Sequence, residues 1–92
     1  MIQSFKHKGL ELFFKTGLKS GVQAKHVKRL QLVLGRLNAA SSPSDMDLPG
    51  LFLHPLTGNR AKIWSVHVSG NWCVTFYFNG SHAEIVDYED YH

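Results

Sequence analysis

The 92-residue chain reads as an α+β protein, two N-terminal helices packed on a small, mainly antiparallel sheet. Three observations carry this. Apolar residues recur at helical spacing up to Ala39, their period switches to two from about Ala61, and Asn79-Gly80 separates two alternating runs. Helices first and strands second is the α+β order. A chain of this length has room for one core, so residues 1–92 are expected to form a single domain.

The elements follow in order. Ile2 to Phe5 is short and alternating, as an edge strand is. His7 to Thr16 sets Leu10, Phe13 and Phe14 on one helical face, and Gly17 stands where a left-handed C′ residue belongs. Ser20-Gly21-Val22-Gln23 has the form of a capping box, a hydroxyl at the N-cap and Gln three residues on. Behind it Val27, Leu30, Leu34 and Leu37 make an apolar stripe with Val33 beside it, so a second helix is expected from about Val22 to Ala39. Lys25, Lys28, Arg29 and Arg36 fall mainly off that stripe and give the helix a basic wet side.

Ser41 to Gly50, with Pro43 and Pro49, breaks all periodicity and is a loop too short to link domains. Three strands are expected after it: Ala61 to Val68, Trp72 to Phe78 and Ala83 to Tyr88. Read as a two-residue type I′ turn, Asn79-Gly80 sets Phe78 opposite Ser81, Phe76 opposite Ala83 and Val74 opposite Ile85. That face is apolar and should meet the helices. Tyr77, Thr75 and Cys73 then oppose His82, Glu84 and Val86 on a mixed, polar face. Function is expected on that second face and its rim.

Composition narrows the class. With 43% hydrophobic and 18% charged residues the chain is globular, not disordered. A single cysteine, Cys73, excludes an intramolecular disulfide framework and a cysteine-rich zinc site. No apolar run approaches a spanning helix and Met1-Ile2-Gln3-Ser4-Phe5 is no signal peptide, so a soluble, cytoplasmic protein is expected. The net charge of +3 is unevenly spread. Lys6, Lys8, Lys15, Lys19, Lys25, Lys28, Arg29 and Arg36 face only Glu11 in the first half. Arg60 and Lys62 face Asp45, Asp47, Glu84, Asp87, Glu89 and Asp90 in the second. A basic half suits a polyanion such as nucleic acid, and it equally suits solvated helices; charge alone does not decide.

Six histidines are available for chemistry. His7 and His26 are expected on helix surfaces, His82 beside the hairpin turn and His67 in a strand, all ordinary places. His54 and His92 differ. His54 stands in Leu53-His54-Pro55-Leu56-Thr57-Gly58, stiffened by Pro and Gly, and His92 ends the run Asp90-Tyr91-His92. Cleaving RNA by internal attack of the 2′-hydroxyl needs a base, an acid for the departing 5′-oxygen, and donors on the phosphate. Imidazoles suit both proton-transfer roles near neutrality. The pattern alone leaves catalysis and a polar chain end equally open. A metal set of His54, Asp87, Asp90 and His92 is the rival reading, but no fixed metal motif is present and no metal is expected. Cys73 in a strand reads as a packing residue, and neither a phosphate-cradling glycine loop nor a helix-turn-helix is found.

Several segments, in this order, carry a resemblance over the whole length. They are Met1-Ile2-x-Ser4-Phe5-Lys6-His7-Lys8-Gly9-Leu10, then Leu53-His54-Pro55-Leu56-x-Gly58-x-Arg60, then Trp64-Ser65 and Asn71-Trp72, and last Asp87-Tyr88-Glu89-Asp90-Tyr91-His92. The sequence resembles the HigB toxins of the RelE/ParE toxin superfamily. The resemblance implies a RelE-like, microbial-RNase-like fold. It implies a ribosome-dependent endoribonuclease that cuts mRNA in the A site of the 70S ribosome and so stops translation, without a cofactor. It also implies a HigA-type antitoxin, a dimeric helix-turn-helix protein through which alone the toxin meets DNA, and no membrane partner.

The family's catalytic positions fall on His54, Asp90, Tyr91 and His92, with proton transfer by the two histidines, orientation by Asp90 and positioning of nucleotide or phosphate by Tyr91. Arg60 and Lys62 are candidates for the phosphate, and Lys25, Lys28, Arg29 and Arg36 for ribosomal RNA. The chain departs from its relatives at Thr57 and Cys73, where they commonly carry basic residues. Two further readings compete: a ParE-like, non-enzymatic inhibitor of DNA gyrase, and an RNA- or ribosome-binding module without strong catalysis.

Overall fold

Leu10 and Phe13 anchor the first helix in the core. The computed structural model describes residues 1–90, and in it α1 spans Lys8–Thr16. His7 caps its start, Nδ1 accepting from the Leu10 N–H at 2.9 Å. Gly17 ends it at φ 80°, its N–H donating to the Phe13 carbonyl, as a left-handed C-cap does. The expected stripe on the second helix is also in place: α2 spans Val27–Ala39 and buries Leu30, Val33, Leu34 and Leu37.

The start of α2 corrects the sequence reading. No capping box forms at Ser20; a 3₁₀ turn, Ala24–His26, leads into the helix, and Gln23 before it makes no side-chain cap bond. The cause is a close backbone crossing. A methyl on Gly9 would lie 2.7 Å from the Gly21 carbonyl oxygen, and one on Gly21 would lie 2.5 Å from the Gly9 Cα. Gly21 is thus required for the approach to α1, and Ser20 to Gln23 turn past it instead of starting the helix. That turn also carries His26 inward, where it is 1% exposed and not on the surface expected for it.

The loop after α2 holds a 3₁₀ turn, Pro43–Met46, and buries Met46 and Leu51. Four antiparallel strands follow in the order β1-β2-β3-β4: β1 His54–Pro55, β2 Trp64–Ser69, β3 Trp72–Asn79 and β4 His82–Asp90. The two-residue β1 was not expected. β2 starts three residues later than expected, because Gly58–Arg60 is a 3₁₀ turn whose Arg60 carbonyl takes the Ile63 N–H. Ile2 to Phe5 lies beside β4 as foreseen at an edge, but through two isolated parallel bridges, Ile2 to Ala83 and Phe5 to Val86.

The hairpin register differs from the expected one. Asn79 faces His82, Phe78 faces Ala83 and Tyr77 faces Glu84, so the turn residues are Gly80 and Ser81. Only Gly80 has positive φ, the pattern of a type II′ turn with glycine first. Further along, Thr75 faces Asp87, so Ile85 and Val86 together oppose Phe76. This is a β-bulge, with Ile85 at φ 48°. It flips the phase of β4: Ile85, expected inside, is 46% exposed, and Val86, expected on the polar face, is fully buried. Helices and sheet therefore share one core, to which the sheet gives Val66, Val74, Phe76, Val86 and Tyr88.

Candidate active site

The other sheet face assembles polar residues in two rows across the strands. One row runs His54, Ser65, Thr75, Asp87 and the next His67, Cys73, Glu89. Alternation along each strand forces this, because the intervening residues fill the core. The polar face expected from the sequence is therefore real, although the shifted turn and the bulge together replace Glu84 and Val86 by Asp87 and Glu89 as partners of Thr75 and Cys73.

His54 stands exposed at the sheet edge, where its Nδ1 lies 2.9 Å from the Phe52 carbonyl oxygen. A carbonyl only accepts, so Nδ1 carries the proton and the neutral ring keeps its lone pair on Nε2. His54, Pro55, Leu56, Thr57 and Arg60 line an open cleft of about 380 Å³. A smaller cavity of about 140 Å³ shares His54 with it and is bordered also by Ser65, His67 and Cys73.

Arg60 reaches Glu89 through two bonds, Nη1 to Oε1 at 3.2 Å and Nη2 to Oε2 at 2.6 Å. Thr75 donates to the same carboxylate at 2.7 Å. Burial works to raise the Glu89 carboxyl; the Arg60 and Thr75 hydrogen bonds, with the Arg60 and Lys6 charges, outweigh it and leave the group below its ordinary range. The sequence put Thr75 on the polar face without giving it a role, and nothing local marked Glu89 for one: its partner Arg60 is 29 residues away. Lys62 is exposed in the turn before β2.

Asp90 pairs with Trp72 at the end of β4, in the phase of buried Tyr88 and opposite to Glu89. Tyr91 and His92 lie outside the described residues. Behind Asp90, Tyr88 packs on Trp72 at 4.4 Å between ring centroids and shares a 2.5 Å hydrogen bond with His26 Nδ1. Burial, and then the Lys25 charge, lower the His26 pKa, while burial raises the Tyr88 phenol. Lys25, Lys28 and Arg36 are exposed on the α2 side; Arg29 is half-buried, its Nη2 donating to the Gly50 carbonyl. Among the described residues, no three His, Cys, Asp or Glu side chains gather to hold a metal ion, and no helix is long and apolar enough to cross a membrane.

One open cleft is thus lined both by His54, whose neutral ring leaves Nε2 as an acceptor, and by Arg60, bonded to Glu89. Comparison with known families decides whose arrangement it is. The family of RelE-like toxins of the type II toxin–antitoxin system HigB matches residues 3–92. The chain belongs to the HigB-like toxin family. Endoribonuclease HigB of Proteus vulgaris is 45% identical to it over 92 residues, the full length of both chains. The two helices and four-stranded sheet are the α+β, RelE-like fold that the resemblance implied. As HigB-like toxins pair with an antitoxin, the protein is one half of a type II system.

Proposed function

We propose that this toxin is a ribosome-dependent endoribonuclease that cuts mRNA in the A site. The observation that carries the reading is the His54 ring, held by Nδ1 to the Phe52 carbonyl with Nε2 left as acceptor at the cleft. The likeness to an endoribonuclease over the full chain supports it. In the reaction, His54 Nε2 takes the proton of a ribose 2′-hydroxyl and that oxygen bonds to the adjacent phosphorus. The bond from phosphorus to the 5′-oxygen breaks, and an acid returns a proton to that oxygen. The products are a 2′,3′-cyclic phosphate and a 5′-hydroxyl. His92 is assigned the acid, Asp90 its orientation and Tyr91 the placing of nucleotide or phosphate. Arg60 faces the phosphate from the cleft with Lys62 nearby, and Glu89 and Thr75 hold the Arg60 fork flat and rigid.

Lys25, Lys28 and Arg36, with Arg29 behind them, meet ribosomal RNA. The ribosome supplies most of the substrate geometry, so free RNA is a poor substrate. A HigA-type antitoxin, a helix-turn-helix dimer, silences the activity and carries all contact with DNA. The test is a defined mRNA on 70S ribosomes with an empty A site, against the same mRNA free in solution. A cut in the A-site codon only on ribosomes, slowed about 10²-fold or more by His54→Ala, is expected. Arrest without cuts would favour the gyrase-type or binding-only alternatives, and equal cutting of free RNA would remove the ribosome from the account.

A further inference from the structure

We propose that Phe52 is a nucleobase platform, stacking the base of a nucleotide next to the scissile phosphate and holding its edge over the cavity that Ser65 and His67 border. The inference rests on the RNA-cleaving role of His54 and names a part of the substrate that the site grips.

Several observations converge on it. Phe52 is 70% exposed, the most exposed of the large apolar side chains among the described residues. Its backbone sits at φ 50°, a conformation that a bulky residue rarely adopts and that in native proteins gathers at ligand-binding sites. The local hydrogen bonding explains how it is held. The His67 N–H donates to the Leu51 carbonyl at 2.7 Å, and three residues later His54 pairs with Ser65, two residues back on β2. One extra residue is thus inserted on the edge segment, the geometry of a bulge, which re-aims a side chain beside an active site. Buried Leu51 pins the segment on one side and the pairing of His54 pins it on the other.

The ring so presented stands edge to face with His67, centroids 5.8 Å apart. His67 is itself fixed, Nε2 donating to the Gly70 carbonyl at 3.1 Å. The cavity beside it, about 140 Å³, is also bordered by Ser65. Ser65 is fully buried, and its Oγ has no hydrogen-bond partner. A buried hydroxyl left without a partner calls for a ligand group, and the polar edge of a base supplies one. The Phe52 carbonyl is the acceptor for His54 Nδ1, so platform and base move as one unit. A base stacked on Phe52 places its ribose within reach of His54 Nε2. Stacking is tolerant of base identity, and the Ser65 hydroxyl adds discrimination at the edge.

The experiment is an NMR titration of the whole protein with adenosine 5′-monophosphate and cytidine 5′-monophosphate, with ribose 5-phosphate as the probe lacking a base. Wild type, Phe52→Tyr and Phe52→Leu are compared, their amide spectra away from the cavity reporting that each is folded. Both nucleotides are expected to shift the resonances of Ser65, His67 and Gly70 in wild type and Phe52→Tyr. Phe52→Leu should bind them about 5- to 150-fold more weakly, and ribose 5-phosphate should leave those resonances unmoved. Equal binding by Phe52→Leu, or equal shifts with ribose 5-phosphate, would overturn the platform. Nucleotide binding by a protein that leaves programmed ribosomes uncut would sustain the platform and remove the reading of the function instead.

Discussion

An imidazole with one nitrogen tied to a backbone carbonyl has a single nitrogen left for chemistry. For His54 that is Nε2. His54→Ala should therefore slow single-turnover cleavage about 10²- to 10⁴-fold with the fold intact, since the residue is exposed; a loss below tenfold would contradict its role as base. Cys73 is the second residue with a consequence. It is 3% exposed and sits opposite both His67 and Glu89. Cys73→Arg would set a guanidinium beside the cavity and the Glu89 carboxylate. It should raise the cleavage rate, recovering stabilisation of the transition state on the order of 2–4 kcal/mol; an unchanged or lower rate counts against it. His54 stood out in the sequence because a stiff Pro/Gly segment carries it, and Arg60 was named through the family resemblance. The roles of Glu89, Thr75 and Phe52 were not legible, because their meaning comes from Arg60, from a facing strand and from a bulge.

Among the elements, the helices were readable from the spacing of their apolar residues and the sheet from alternation. Their joints were not. The expected capping box at Ser20 looked sound locally, but the crossing of Gly9 and Gly21 left no room for a helix to start there. Gly21→Ala should accordingly destabilise the protein by about 1–3 kcal/mol, read from urea unfolding, where a surface helix would gain from the same change. An unchanged midpoint would mean the crossing relaxes freely. Register failed for a related reason. Alternation cannot reveal an inserted residue, and Ile85 is such an insertion: it turns β4 by one position and, on top of the two-position shift set by the Gly80-Ser81 turn, brings Glu89, not Val86, to face Cys73. The candidate site exists in its present form because of that bulge.

At the scale of the molecule, stability and binding should both respond to charge. His26 is buried and its pKa lies below the ordinary 6.5, so the unfolded chain takes up a proton first. Its contribution is complete above pH about 6.5 and is lost as the pH falls below that. Glu89, held below the ordinary 4.5, contributes above that value and loses its share in stronger acid. Thermal melts should thus fall in two stages on acidification, and His26→Gln should abolish the first; a single stage below pH 4.5 would contradict the buried neutral imidazole. Basic residues on α2 predict a second dependence. Replacing Lys25, Lys28 and Arg36 by Gln should flatten the decline of ribosome binding with salt, and an unchanged slope would place the contact elsewhere. The division into a basic helical half and a more acidic sheet half was visible in the charge pattern itself. The most direct test of the whole account is to map RNA 5′-hydroxyl ends in a translating extract given wild type or His54→Ala. New ends within codons, dependent on ribosomes and absent with the variant, are predicted. Ends that persist with His54→Ala, or translation arrest without new ends, would contradict it.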